Sequence, residues 1–544
     1  MNFVQRYANL LATLLLTAAV FFYAFGFVNF AVPPFEDAAM LMRYADHLAH
    51  GHGIVWNIGE HPVDGATDFL FMVASAGLIK LGVPVGRSVR AIGFASHLLT
   101  VLLVYWANRK MWRASVPLAL FCGLYLAVGT GLSYVAAFFG TPFFAFFAVL
   151  TWTLGLLLIQ EEHPSALLEL LFSLSGLLTG LIRPEGAMLA AFMLVAVVAL
   201  KGWRASARLL IIFGAVFLIL GGAYFIWRWN YFGYPLPNPF YKKGGGVLHW
   251  DSLRESFINL LRFGGPFLLA FLLGFRSWRT ARQTAAFLIP LIGFAALFVL
   301  ISNETNFGGR LQYALWPIVL VSWYPLVDGL GREVGWSWPQ PWTAWPRGVG
   351  MLAVLSVAGA GLAYACSQNC ILTSAQQTCG VAYEEDGRYE VGKLLAEYQG
   401  QGYVIATTEA GLLPFYSNWT AIDTWGLNDE WIAHNGEVTP EYLDRYRPEI
   451  IMFHAYFSPL VPPRLIDKNL AQAWFRMTIT LKDYAESRGY LLAAAYGDSP
   501  YEAHYYYVRS DFPDSPKLLR ALSGVRYDWY LNGRKAINYT GMQP

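Results

Sequence analysis

Long apolar runs separated by short polar, turn-rich connections fill the first two thirds of the chain. The run at 10–30 is long enough to cross a bilayer. Further runs centre on 91–107, 116–132, 142–159, 167–182, 187–200, 209–227, 264–275, 284–301, 311–327 and 348–365, which predicts eleven transmembrane helices. The first run is longer than the apolar core of a secretory signal and has no small-residue cleavage site, so it is expected to be a retained span. The run at 68–81, DFLFMVASAGLIKL, is short and predicts an interfacial or re-entrant segment that does not cross.

The basic residues orient this pattern. If 68–81 stays outside, Arg109, Lys110 and Arg113, then Lys201, Arg204 and Arg208, then Arg276, Arg279 and Arg282, then Arg332 and Arg347 all face the cytoplasm, as positive charge in short loops requires. The expected protein is a multi-pass protein of the cell (inner or plasma) membrane, with a cytoplasmic N-terminus and an extracytoplasmic tail. That tail alternates helical stretches at Tyr389–Tyr398 and Pro440–Tyr446 with β-rich runs at Tyr403–Thr407, Thr420–Asp423 and Glu449–His454. Two domains follow: a transmembrane domain over 1–365, whose first outer loop spans 31–90, and an extracytoplasmic α/β domain over 366–544.

Composition narrows the function. Charged residues make up 14% of the chain and hydrophobic ones 56%, against about 25% charged in soluble proteins. With 38 basic against 36 acidic residues no field attracts nucleic acid, and none is expected as a partner. Of the four cysteines, Cys366, Cys370 and Cys379 cluster in the tail, where one bridge, Cys370 to Cys379, is expected. Apart from His97, the middles of the spans are almost free of ionisable groups, and no internal repeat is visible. Both features disfavour a transporter.

The unusual polar residues collect on the expected outer face. Glu36 and Asp37 open an amphipathic surface helix that also carries Arg43 and Tyr44. The pair reads either as helix-start caps or as carboxylates placed to accept a proton from a hydroxyl. Asp64 and Asp68 follow in a glycine-rich stretch, as site groups or as a solvated loop. The turn LIRPEGAM brings out Arg183 and Glu185, and NYFGYPLPNPFYKKGGG brings out Asn238, Tyr241, Lys242 and Lys243. NETNFGGRLQY sets Arg310 behind two glycines. These cations suit a phosphate, for which the arginine fork is well shaped, or serve as helix-end anchors. No metal-ligand spacing appears among the histidines.

EDAAMLMRYADHLAHGHGIVWNIGE with GATDFL, then RPEG, LPNPFYKK and GGR, resembles the bacterial GT-C membrane glycosyltransferases over roughly residues 1–330. The similarity is strongest to the arabinofuranosyltransferase type of mycobacterial cell-wall synthesis and weaker to the lipid A aminoarabinose transferases. It extends loosely into the tail at EAGLLPFYSNWTAIDTWGLND. The resemblance implies a polytopic α-helical membrane protein of GT-C type, with about 11 transmembrane helices and outer-face juxtamembrane helices, followed by the α/β domain. It further implies transfer of a sugar from a polyprenyl-phosphate donor to an extracytoplasmic glycan, lipid or protein acceptor, with inversion.

On that reading Asp37, then Glu36, is the general base, and Arg183, Lys242, Lys243 and Arg310 bind the donor phosphate. Arg43, Tyr44, Asp64, Asp68, Glu185, Asn238 and Tyr241 contact substrate. No organic or redox cofactor is implied, and participation of a divalent cation is left open. The chain departs from the resemblance at AAFFGTPFF, where relatives often carry an acid and this chain has none at Gly140, Thr141 or Pro142. The protein must then differ in acceptor, or take the charge from elsewhere, with Asp64 and Asp68 as candidates, or be inactive. A transporter or flippase of a lipid-linked substrate is the alternative class.

Overall fold

The computed structural model describes residues 3–244, 246–302, 306–333, 387–455, 468–499 and 502–525, with strand fragments at 528–529, 534–535 and 537–538. Helix α1 (Phe3–Phe27) is followed by α2 (Glu36–Ala49), α3 (Phe69–Lys80) and α4 (Val85–Lys110). With 12 residues, α3 rises about 18 Å, well short of a hydrocarbon layer about 30 Å thick. It packs against α2 and α4 instead.

Eight helical stretches among the described residues are long and apolar enough to cross a membrane: Tyr7–Phe27, Val85–Lys110, Val116–Ala136, Thr141–Gln160, Pro184–Lys201, Ala207–Phe232, Trp250–Gly274 and Thr280–Leu297. Helices Ala166–Ile182 and Leu315–Glu333 stand at two more of the expected spans. The span expected at 348–365, the Cys370–Cys379 bridge and the boundary at 365/366 lie outside the described residues. One boundary moves substantially. The stretch expected at 264–275 begins at Trp250, because Trp250–Gly264 is amphipathic and buries Ser252, Ser256 and Asn259. Gln312 donates to Ser256 at 3.1 Å and accepts from Asn259 at 3.3 Å, so this helix is held by polar contacts that an apolar-run reading passes over.

The tail forms a mixed sheet. Strands β1 (Val404–Thr407), β2 (Thr420–Asp423), β3 (Ile450–His454), β4 (Leu491–Ser499) and β5 (Glu502–Val508) lie in the order β2-β1-β3-β5-β4, with Ile537–Asn538 at the β4 edge. The first three are parallel and the rest antiparallel. Side chains alternate between two faces, as the two-residue period of a strand requires. Ile405, Ile450, Met452, Tyr506 and Val508 join the core that continues into the membrane bundle. Ala406, Ile451, Phe453, Tyr505 and Tyr507 close a second core with Leu443, Met477 and Leu481. Burial on both faces explains why the β runs read as continuous apolar stretches.

The tail therefore does not hang free. Its helix Leu412–Ser417 packs against α2, and the connection between α1 and α4 is stitched to it by Arg43. That guanidinium is 3% exposed and donates to the carbonyl of Trp56 at 2.8 Å, to Asn57 Oδ1 at 3.0 Å, to the carbonyl of Trp419 at 2.8 Å and to that of Pro414.

Candidate transfer site at the start of helix α2

Glu36 and Asp37 form the first turn of α2 and diverge. The Asp37 carboxylate pairs with Arg310, whose guanidinium also lies 4.2 Å over the Phe139 ring. Arg310 is delivered by a tight turn at Phe307–Gly309, in which Gly308 and Gly309 take φ of 61° and 75°, values that side chains other than glycine rarely adopt. Asn306 fixes this turn by accepting the Leu311 N–H at 2.9 Å and donating to Gln312 Oε1 at 2.6 Å. Phe35 packs on Phe139 and Phe307, with ring centres 5.2 and 4.5 Å apart, and forms an aromatic floor.

A second ion group adjoins the first. Arg183, in the turn between Ala166–Ile182 and Pro184–Lys201, donates to Asp68 Oδ1 at 2.8 Å and to Glu185 Oε1 at 2.7 Å. Burial, aided by Glu185 and Asp37, raises the Asp68 carboxyl above its ordinary range against the pull of Arg183 and Arg310. Burial also pushes Asp37 up, but Arg310, Lys243 and Arg183 together outweigh it and hold Asp37 below the usual carboxylate range. Three carboxylates (Asp37, Asp68, Glu185) thus share one neighbourhood with three cations (Arg183, Lys243, Arg310).

Asp68 also abuts the position where the sequence lacks an acid. A Cβ on Gly140 would stand 2.7 Å from Asp68 Oδ2 and 2.8 Å from the Phe71 ring. Gly140→Ala is accordingly expected to displace the Asp68 carboxylate and cost about 1–3 kcal/mol, the range for forcing extra volume into a packed site. Thermal unfolding, with Gly77→Ala as the open-space control, checks this.

Other expected site residues lie elsewhere. Glu36 turns away from Asp37 into the tail: its carboxylate accepts from the Gly411 N–H and, at 3.2 Å, the Leu412 N–H, and pairs with Arg388 at 3.1 Å. Lys242 donates to the Gly436 carbonyl at 2.5 Å and lies 4.6 Å over Trp425, so it faces the tail, whereas its neighbour Lys243 acts on Asp37. Arg43 is consumed by the contacts that stitch the α2–α3 loop to the tail, and Tyr44, fully buried, donates to Asn428 Oδ1 at 3.1 Å. Asp64 pairs with Arg228 and its carbonyl accepts the Asn238 N–H at 3.0 Å; Tyr241 packs on His434, ring centres 4.5 Å apart. The structure thus brings together Asp37, Asp68, Arg183, Glu185, Lys243 and Arg310, and sets Glu36, Arg43, Tyr44, Asp64, Asn238, Tyr241 and Lys242 in contacts with the tail or among themselves.

The reading of the sequence missed Arg388, Glu409, His454 and His504. Arg388 is 0% exposed and bridges Glu36 to Glu409, the latter at 3.0 Å. Glu409 opens the tail stretch that carries the resemblance, the one signal that could have found it. Glu409, His454 and His504 form the group of metal-capable side chains found among the described residues, and all three belong to the tail.

Solved structures with the same architecture span nearly the whole chain. ArnT from Cupriavidus metallidurans in the apo state matches with a TM-score of 0.57 at 14% identity, over 95% of this chain and 99% of that one. The same protein bound to undecaprenyl phosphate matches with a TM-score of 0.56 at 14% identity, over 92% and 98%. The apo oligosaccharyltransferase of Archaeoglobus fulgidus matches with a TM-score of 0.52 at 11% identity, over 94% and 76%. The chain has the GT-C membrane fold. It is a multi-pass helical protein with a C-terminal α/β domain, and residues 377–520 of that domain match a family model described as a domain of unknown function (DUF8728). No curated protein sequence matches the chain.

Proposed function

We propose that this protein is an integral-membrane glycosyltransferase that moves a sugar from a polyprenyl-phosphate donor to an acceptor hydroxyl on the outer face of the cell membrane. The observation that carries this reading is the ion pair of Asp37 with Arg310, beside the Asp68–Arg183–Glu185 group, at the start of helix α2. Support for the donor class comes from the fold it shares with a protein crystallised with undecaprenyl phosphate. The kinship with arabinofuranosyltransferases rests on the sequence motifs and makes arabinose the first sugar to try. The N-terminus is assigned to the cytoplasm and the α/β domain to the outside on the distribution of basic residues.

In the proposed reaction the acceptor oxygen attacks the anomeric carbon, the bond from that carbon to the phosphate oxygen breaks, and the polyprenyl phosphate departs with the bonding electrons. Inversion follows from a single displacement. Arg310, Arg183 and Lys243 stabilise the charge growing on the leaving phosphate, where fixed cations are worth most. Asp37 takes the acceptor proton. An aspartate held low by three cations is a weak base, and the donor corrects this: a phosphate that draws Arg310 away leaves burial less opposed, so the Asp37 pKa rises as substrate binds. Asp68, against Gly140, supplies the acid absent from that loop and argues for an active enzyme.

The test is transfer of radiolabelled sugar from polyprenyl-phosphate donors by protein in lipid nanodiscs, arabinose first. Arg310 also sets a pH signature. With Arg310→Gln the main group that holds the Asp37 carboxyl low is gone while burial remains, so the acid limb of the kcat/KM profile is expected to move to higher pH. An unmoved limb with retained transfer would remove Asp37 as the titrating base.

A further inference from the structure

The histidines of the tail sit in a defined pair. His454 ends β3 and His504 lies directly opposite it on antiparallel β5, with ring centres 4.1 Å apart. Glu409, just past the end of β1, places Oε1 3.2 Å from His454 Nδ1. One ligand atom from each of the three residues lies within 4.8 Å of the others. From this juxtaposition we propose that Glu409, His454 and His504 form a binding site for a divalent transition-metal ion of Zn2+ type, seated where the tail meets α2.

The donor set suits that ion: two imidazole nitrogens and one carboxylate oxygen, with a fourth position for water. A tetrahedral ion with bonds of about 2.0–2.2 Å holds its ligand atoms about 3.3 Å apart, so small side-chain rotations close the site. The supporting shell is already built. Arg388 takes Glu409 Oε2 at 3.0 Å and leaves Oε1 on the histidine side, the way an outer partner orients a ligating carboxylate. His454 is fixed through its backbone: its N–H donates to Thr408 Oγ1 at 3.0 Å, and its carbonyl accepts the Trp474 Nε1–H at 3.2 Å. All three side chains are shielded from solvent, at 13% exposure for Glu409, 9% for His454 and 3% for the whole of His504.

Charge points the same way. Two carboxyl groups, those of Glu36 and Glu409, converge on one guanidinium, that of Arg388, an excess of acidic oxygen in a buried place. A dication on the far side of Glu409 offsets it. The ion would then brace the contact Glu409–Arg388–Glu36 that ties the tail to the start of α2, without joining the transfer reaction.

Full-length, tag-free protein in lipid nanodiscs, stripped with chelator and dialysed against Zn2+, is expected to retain one equivalent by elemental analysis and to melt at a higher temperature than the stripped form. His504→Gln and Glu409→Gln are each expected to weaken Zn2+ binding by more than about 100-fold in calorimetric titration, beyond the effect of losing an outer-shell partner. His52→Ala, an exposed histidine of the outer loop, should bind as wild type does. Wild-type protein that retains no stoichiometric Zn2+ overturns the proposal whatever the variants do, and so does unchanged binding in both site variants. None of these readouts involves sugar transfer, so the metal site stands or falls apart from the transferase reading.

Discussion

Asp37→Asn is expected to reduce sugar transfer by about 10²–10⁴-fold, the span a positioned general base commonly supplies. The substitution keeps the shape of the side chain and removes its capacity to take a proton, while an amide oxygen can still accept from Arg310. Folding should be nearly unchanged, because a quarter of the Asp37 side chain is exposed and the substitution adds no volume. Affinity for the donor should be retained or improve, since Arg310 no longer has a carboxylate competing with the phosphate. The measurement is initial transfer rate in nanodiscs beside donor binding by titration and a thermal melt. Full activity in Asp37→Asn would remove the base assignment even with the fold intact. Donor binding without turnover in wild type across a broad acceptor panel would favour an inactive or lipid-transporting protein.

Arg388→Met is expected to be the most destabilising single substitution in the interface between the bundle and the tail, by about 3–5 kcal/mol, the cost of removing one partner from a buried charge group. Arg388 has no exposed surface, and it stands between two carboxyl groups, Glu36 and Glu409, that would otherwise lose the guanidinium they share. Methionine fills much of the volume, so lost charge and not a cavity dominates the effect. The tail should loosen first, because Glu36 also accepts the Gly411 and Leu412 N–H groups and so anchors the start of helix Leu412–Ser417. Thermal unfolding and limited proteolysis report this. The double variant Arg388→Met with Glu36→Gln should recover part of the loss, since it removes one of the stranded charges, and no recovery would show that the pair is not coupled.

How much of this was visible beforehand depended on the range of the interaction concerned. The spans follow from the length of apolar runs, a property of about twenty consecutive residues, and helices stand at ten of the eleven expected places. The eleventh lies outside the described residues, and the moved boundary at Trp250 shows the limit: a helix with a polar buried face carries no apolar run, and its partner Gln312 is 56 positions away from Ser256. In the tail, β2 and helix Pro440–Tyr446 coincide with their expected segments, because turn residues bracket them. Strands β4 and β5 and helix Lys468–Ser487 were not expected; the alanine-rich start of β4 has little intrinsic strand preference and is held there by pairing with β5.

The sequence by itself determined that this is a membrane protein with an α/β tail, and that its chemistry-bearing residues lie in the connections between spans. It brought Glu36 beside Asp37, with the resemblance placing Asp37 first, and Lys242 beside Lys243 with no ranking, and it could not say which partners each member of a pair would meet. Only the tertiary structure decided that, for a simple reason: successive residues on a helix point about 100° apart, so two neighbours cannot face the same site. Asp37 meets Arg310, 273 positions away, while Glu36 meets Arg388 and the tail. Lys243 acts on Asp37 while Lys242 is held by Gly436 and Trp425. Which carboxylate faces Arg310 and which faces Arg388 is set by partners hundreds of residues distant, and their positions exist only once the bundle and the tail have packed together.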